Sequence, residues 1–495
     1  MRRPTAFTYS ILAVVIFLGP LVLFLAGMRS DPNFENRRLA SAPDLAVSRL
    51  LDTEMYQEAT AFFVDRVPLR DLGVRVDAWI DFHVLGDTPN PASVAIGKDG
   101  WLFNPETYTA ICTDDLPDPE LIVANADLLM TVLAESGRDV AFTISPQKRT
   151  IHPEYLGDLA DDAACAEAHT TALREALLAD PPTGYVDTWG ILLEASAEGE
   201  MVYFRDDTHW NYVGAARSAA AIVEQLWPGA WSEDDVVFGD TQERSGNLAL
   251  QMSLSVKEAF VPVVVEREGV TVLSSLKRVA SQTPKARIFR LEFTDGATAP
   301  GGSTLVLGDS FMEFTSEEHL APYTESLIGL NWRTIGRSGS LKNPGGRPVP
   351  QAEEYLLAQL ADAEAVIVQT VEWEVWQRLS SMRLTYLVMN ALSDDLPHRD
   401  FEPGDDTITL LPREAISDAT RNFLIVRADT AEKFTVQLLH RADPSMGWTT
   451  IESDGPLQDG LAVVDLRGLP EGGEAGISFK RLDAGLLTLL RIVGI

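Results

Sequence analysis

Two short stretches carry residues whose types and spacing can move an acyl group. In the first, the apolar run Thr304-Leu305-Val306-Leu307 stops at Gly308-Asp309, and Ser310 follows at once. A serine that opens a helix stands where backbone amides can receive an oxyanion, and glycine before it permits a tight turn. Asp and Ser are also ordinary helix caps, so this string alone decides little. In the second stretch, Asp206-Asp207-Thr208-His209-Trp210-Asn211, an acid lies two residues before a histidine. A carboxylate so placed can orient one imidazole nitrogen and stabilise the imidazolium, leaving the other nitrogen to take a proton from a hydroxyl. The competing role for Asp206 or Asp207 is to cap a helix beginning near Tyr212. A metal site on Asp206, Asp207 and His209 lacks any further His or Cys cluster to complete it. Of the seven histidines, only His209 has a suitably spaced acid and an aromatic neighbour; His83, His319, His398 and His440 sit in surface or core contexts.

The elements that must position these residues read as α/β. Helical periodicity covers 120–136, 166–179, 212–226 and 313–327, and strand-like runs cover 139–145, 184–188, 303–307 and 363–371. Strands alternating with helices predict a parallel sheet covered on both faces, with its site at the carboxyl ends of the strands. Residues 234–301 break the rhythm with β-type runs and read as an insertion. Upstream, Gly97-Lys98-Asp99-Gly100 reads as a hairpin turn, and 50–85 as helical with a break at Pro68. The last ninety or so residues are short alternating runs between Gly, Pro and Asp, the spacing of a small all-β sandwich, with a boundary expected in 397–406.

Together these pieces resemble a known family. The order Asp-x-His followed about a hundred residues later by Gly-Asp-Ser is similar to the alginate O-acetyltransferase group (AlgJ and AlgX type) of the SGNH hydrolase-like superfamily. Glu35-Asn36-Arg37-Arg38-Leu39-Ala40, Phe63 to Asp71, Ile96 to Phe103, Pro146-Gln147-Lys148 with Ile151 to Leu156, and Gly214-Ala215 after His209 resemble that group's segments. The similarity runs from about Asn33 to Leu379. It implies an SGNH-like doubly wound parallel sheet sandwiched by helices, with an N-terminal transmembrane helix and a C-terminal all-β sandwich. The expected divisions are an anchor (1–30), a helical lead-in (31–93), the acetyltransferase domain (94–396, with the insertion near 234–301) and the sandwich (405–495), which resembles a carbohydrate-binding module. The resemblance also implies Ser310 as nucleophile, His209 as general base, Asp207 as its orienting acid and the Ser310 backbone amide as oxyanion donor. No cofactor or metal is called for. The implied partners are a polysaccharide acceptor and an acetyl donor relayed by a multi-spanning O-acyltransferase. Ser245-Gly246-Asn247-Leu248 has Asn where related sequences suggest Asp, and no role is assigned to it. An esterase using the same triad and a non-catalytic glycan-binding protein remain the alternatives.

Further substrate contacts are expected at Lys148, Trp210, Arg333, Arg337 and Lys342. The last three belong to a stretch, 326–352, without one acidic residue, in a chain of formal net charge −33. That sign inversion suits an anionic glycan, and the charge of the whole excludes nucleic acid as a partner.

The compartment follows from the first thirty residues. Arg2 and Arg3 precede an uncharged run from Pro4 to Met28, and Phe7 to Met28 is long enough to cross a hydrocarbon core about 30 Å thick. Positive charge stays inside, so the bulk is expected in the periplasm or an equivalent extracytoplasmic space, on a single-pass inner-membrane anchor. Cys112 and Cys165 are the only cysteines. In an oxidising compartment they are the natural pair for a disulfide, the alternative being two free thiols.

Overall fold

The computed structural model describes residues 18–20, 22–28, 40–44, 49, 52–68, 70–254, 256–278, 285–294, 296–331, 350–402, 408–411, 421–430, 434–454, 460–470, 474–480 and 487–495. Most of the expected anchor lies outside these residues. Among the described residues, no helix is long and apolar enough to cross a membrane.

The centre is a seven-stranded sheet built from β1 (Asp139–Ser145), β2 (Tyr185–Val186), β3 (Val270–Arg278), β4 (Lys285–Phe293), β5 (Gly301–Gly308), β6 (Thr324–Asn331) and β7 (Ala365–Val371), in the order β2-β1-β7-β5-β6-β4-β3. From β2 to β6 every neighbour is parallel. The residues of such strands are buried on both faces, which requires continuous apolar runs rather than alternation. Ala365–Val371 is buried throughout. Leu305, Leu307, Val366 and Val368 enter one core, while Val306, Ala365 and Ile367 enter the other. Helix Pro119–Glu135 fills the first core with Leu129, Val132 and Leu133; helix Tyr212–Leu226 fills the second with Ala219, Ile222 and Val223.

Three expectations need correction. The sheet is mixed: β3 and β4, from within the stretch read as an insertion, extend its edge in antiparallel pairing with each other and with β6. The helix expected over 313–327 ends early. It runs as a π-type turn (Met312–Ser316), one α-turn (Glu317–Leu320) and a 3-10 turn (Ala321–Tyr323), and Thr324 already opens β6. The sandwich starts ahead of the expected 405, though inside the expected boundary 397–406, because His398–Asp400 pairs with Leu487–Gly494.

The sandwich comprises two four-stranded antiparallel sheets between His398 and Gly494. Leu424, Val436, Leu438, Ile477 and Ile492 form its inner core. One outer face, with Phe423, Ile425 and Val463, joins the large core of the α/β unit, where Phe423 meets Tyr386 edge-on. The expected hairpin is present: Ala95–Ile96 pairs antiparallel with Leu102–Phe103, and Asp99 and Gly100 take the positive φ values that close it. Cys112 and Cys165 are joined in a disulfide across 53 residues of sequence.

Candidate active site

Ser310 sits at the first helical position after β5, where an amide has no acceptor within its own helix. Asp309 caps that turn. Its carboxylate accepts from the backbone N–H groups of Phe311 at 2.9 Å and Val371 at 2.6 Å, and from Gln369 Nε2 at 3.1 Å. The Asp309 N–H donates to Gln369 Oε1 at 2.8 Å, and Gln369 Nε2 also donates to Ser145 Oγ. Burial pushes the Asp309 carboxyl up to about 6 in spite of these donors. The residue ahead of the cap is glycine for want of room. Gly308 keeps an ordinary strand backbone, but a Cβ there would stand 2.6 Å from Met312 Cγ and 3.0 Å from Gln369 Oε1. The tight-turn role expected for Gly308 is therefore replaced by close packing.

Asp207 and His209 leave an irregular stretch between Tyr203 and Trp210, which form an isolated antiparallel bridge. Helix Tyr212–Leu226 begins just beyond. Its cap is Asn211, whose side chain accepts from Val213 and Gly214 N–H, so neither aspartate is spent as the cap. His209 Nδ1 lies 2.7 Å from Asp207 Oδ1. A carboxylate can only accept, so Nδ1 carries the proton, and Nε2 is the basic position of the neutral ring. Asp207 Oδ1 also accepts from the His209 N–H, and Oδ2 accepts from Arg244 Nη2 at 2.6 Å and Asn247 N–H at 3.0 Å. Burial alone would raise this carboxyl. The His209 hydrogen bond, with the His209 and Arg244 charges, instead holds it well below the usual carboxylate range.

The two stretches meet through Phe311. Its ring centroid is 5.0 Å from that of His209 and 5.0 Å from that of Trp210, so the residue directly after Ser310 packs on the histidine. Ser310 is exposed, and the His209 side chain is 15% exposed. Ser310 faces solvent, whereas His209 Nε2 and the Asp207 carboxylate are buried. Beside the helix that starts at Ser310, a groove of about 620 Å³ is lined by Ser274, Ser275, Leu276, Arg287 and Glu313.

The expected substrate contacts fare differently. Lys148 is buried, and its ammonium group donates to the carbonyls of Phe204, Arg205 and Asp207, so it does not face a substrate. Trp210 is fully buried against Phe311 and cannot touch a substrate either. Arg333, Arg337 and Lys342 lie outside the described residues. No group of three or more His, Cys, Asp or Glu able to hold a metal occurs among the described residues.

Several supports escaped the sequence reading. Ser245-Gly246-Asn247, given no role, braces the loop: Gly246 N–H donates to Asp206 Oδ2 at 2.9 Å, and Asn247 Oδ1 accepts from Thr208 N–H at 2.8 Å. A Cβ at Gly246 would stand 2.2 Å from the Asp206 carbonyl oxygen, which was the available signal. Glu258 accepts from the Arg205 and Asp206 N–H groups. Burial, with Glu258 alongside, pushes the Asp206 carboxyl up to about 7.

A serine at a parallel strand's carboxyl end and an Asp-oriented histidine, linked through Phe311, form the candidate site of the α/β unit. Residues 94–286 match the family described as SGNH hydrolase-like domain, acetyltransferase AlgX. That match includes Asp207 and His209 and ends before Ser310. The "Probable alginate O-acetylase AlgJ" of Pseudomonas syringae pv. tomato is 28% identical over 225 residues, covering 44% of this chain and 53% of that protein. Its Pseudomonas aeruginosa counterpart is 28% identical over 233 residues, covering 46% and 53%. The chain thus spans about half the length of the curated relatives it matches. Among solved structures, the O-acetyltransferase domain of Pseudomonas putida AlgJ is 18% identical, with a TM-score of 0.37, covering 61% of this chain and 99% of that one. Pseudomonas aeruginosa AlgX is 13% identical, with a TM-score of 0.38, covering 81% and 90%. Residues 94–286 thus carry a similarity to the alginate O-acetyltransferase family of the SGNH hydrolase-like superfamily.

Proposed function

We propose that this chain is a serine O-acetyltransferase that places acetyl groups on hydroxyls of an exported polysaccharide. The observation that carries the reading is the buried Asp207 bonded at 2.7 Å to a His209 whose ring packs on Phe311, the neighbour of Ser310. On this reading Ser310 Oγ attacks the acetyl carbonyl of a donor while its proton passes to His209 Nε2. The oxyanion is received at the Ser310 amide, and the donor's leaving group departs with that proton. A sugar hydroxyl then attacks the acetyl-serine, gives its proton to His209 and leaves as the ester, restoring Ser310. The groove lined by Ser274, Ser275 and Glu313 offers an extended acceptor a place to lie along the helix that Ser310 opens.

Location and donor complete the proposal. The uncharged run from Pro4 to Met28 behind Arg2 and Arg3 anchors the chain in the inner membrane, with the site in the periplasm and the acetyl group relayed by a membrane-bound O-acyltransferase.

The test is to incubate the full chain with an activated acetyl ester, with and without oligosaccharides. Acetylated sugar that disappears in Ser310→Ala, a loss of about a thousandfold or more, supports transfer. Ester consumed only by water indicates an esterase. No Ser310-dependent turnover rejects the reading.

A further inference from the structure

Lys148 has an unusual setting for a lysine. It is 3% exposed, and its Nζ lies 3.1 Å from the Phe204 carbonyl, 3.0 Å from that of Arg205 and 2.6 Å from that of Asp207. An ammonium ion has three donors, and here each has its own acceptor. The rings of Trp101 and Phe103, centroids 5.6 and 5.2 Å from Nζ, close the cage from the hairpin side. The lysine is itself held fast. The Glu372 carboxylate, at the end of β7, accepts from Gln147 N–H, Arg149 Nη2 and Thr150 Oγ1. The same strand end donates the Val371 N–H to Asp309, the cap of the Ser310 helix. A chain of bonds thus runs from the nucleophile's cap through β7 to Lys148, and from there to the loop that presents Asp207 and His209.

That loop needs such a support. Between the bridge residues Tyr203 and Trp210 it is neither helix nor strand, so its buried carbonyls draw partners from elsewhere: Leu102 N–H donates to the Arg205 carbonyl and Ala249 N–H to that of Asp206, and Lys148 adds its donors to those of Phe204, Arg205 and Asp207. We propose that Lys148 is the positioning residue of this loop: its ammonium ion, by taking the carbonyls of Phe204, Arg205 and Asp207, fixes the backbone from which Asp207 meets His209, and the site is competent only while Lys148 keeps its proton. A neutral amine has two donors for three acceptors and no charge to strengthen its hold on the carbonyls.

The charged groups facing the ammonium are Asp206 and Asp207 on the loop and Glu258 on Glu258–Phe260, all of which favour the proton. His152 lies further along the lysine's own segment, and the Lys148 charge disfavours its protonation. Burial outweighs the acids and brings Lys148 down to about 7. Its proton is therefore lost within a range where the protein can be assayed.

The proposal rests on the acyl-transfer reading, and two readouts keep them apart. One is kcat and KM for an activated acetyl ester across pH 6 to 10. The other is the downfield NMR signal of the His209 Nδ1 proton, assigned by its absence in His209→Asn, which needs no turnover. In Lys148→Met, which keeps an aliphatic stem between Trp101 and Phe103, kcat should fall about a hundredfold with KM little changed, and the Nδ1 signal should vanish. In the unaltered protein, kcat and the signal should fall together, and reversibly, as pH rises above neutrality. A folded Lys148→Met protein that keeps its kcat within about threefold and retains the signal overturns the proposal. Should that variant not fold, a wild-type Nδ1 signal unchanged to pH 10 overturns it instead. Absence of Ser310-dependent turnover would reject the acetyltransferase reading alone, and the signal would still decide the role of Lys148.

Discussion

Ser310 leaves the end of a strand paired on both sides, whereas Asp207 and His209 leave a stretch that is itself neither helix nor strand. The serine is fixed by regular structure and one buried cap: β5 ends, Asp309 turns the chain, and Gln369 and Val371 hold Asp309 from the adjacent strand. The histidine is fixed by charge. Arg244 and Asn247 grip Asp207, Glu258 grips the Arg205 and Asp206 amides, and Lys148 takes the carbonyls. Such a site can keep Ser310 in place while His209 is disturbed. The two halves should therefore fail differently when altered.

The largest difference is expected from Asp207→Asn. The fold should survive, because Asn can still accept at Oδ1, but the amide cannot stabilise the imidazolium and invites the wrong tautomer. Ester turnover should drop by roughly 10³ to 10⁴ with little change in KM. A loss below tenfold would remove Asp207 from the triad.

Next in size is the link between the halves. Arg149 and Glu372 form a buried ion pair, with side chains 1% and 0% exposed. Arg149→Met leaves the carboxylate without its cation, and denaturant titration should show a loss of about 3–5 kcal/mol. The disulfide is a control away from the site. Replacing Cys112 and Cys165 with Ser should cost about 2–4 kcal/mol while the folded protein keeps its kcat. If removing the disulfide lowered kcat more than Arg149→Met, the strand-end link would not be what aligns the two halves.

The same contrast explains what the amino-acid sequence could reveal. The strand Asp139–Ser145 and the helix Tyr212–Leu226 were legible to the residue, because long runs with one clear period leave little choice. Thr324 to Leu327 was misread because a short buried run after a helix has no period of its own, and only Pro322 hinted at the break. The edge strands β3 and β4 were missed as part of the main sheet, since antiparallel edge strands carry mixed polar and apolar residues and pair with a partner still to come. In the candidate site, Asp207 and His209 were visible because their contact spans two residues. Glu372 reaches Gln147 across 225 residues and Gln369 reaches Asp309 across 60, and no local pattern reports such pairs. Lys148 and Trp210, expected to contact substrate, are buried, because burial of a lone lysine or tryptophan is decided by packing around it.

The smallest expected effect concerns Glu317, under the helix that Ser310 opens. Its carboxyl is buried beside Gly329, where a Cβ would stand 2.2 Å from Glu317 Oε1, and burial, only partly offset by Arg287, pushes it up to about 8. A carboxyl raised above its ordinary value of 4.5 binds its proton more tightly folded than unfolded. Its contribution to stability is therefore complete below about 4.5 and is lost as pH rises through 8. Asp309 and Asp206, raised to about 6 and about 7, slope the same way, one in each half of the site. Asp207 slopes oppositely, but its contribution is already complete above its ordinary 3.8 and fades only as pH falls further. Lys148, lowered to about 7, favours the neutral amine when folded, so its contribution grows with pH only from there upward. Between pH 4.5 and 7 the raised carboxyls should thus make urea midpoints decline. Glu317→Gln should flatten that decline by about 1 kcal/mol, the order of one pKa unit, without touching the Nδ1 signal of His209. A decline equally steep in the variant would mean that Arg287 keeps Glu317 ionised throughout, and that the nucleophile's half of the site rests on charge as much as the other does.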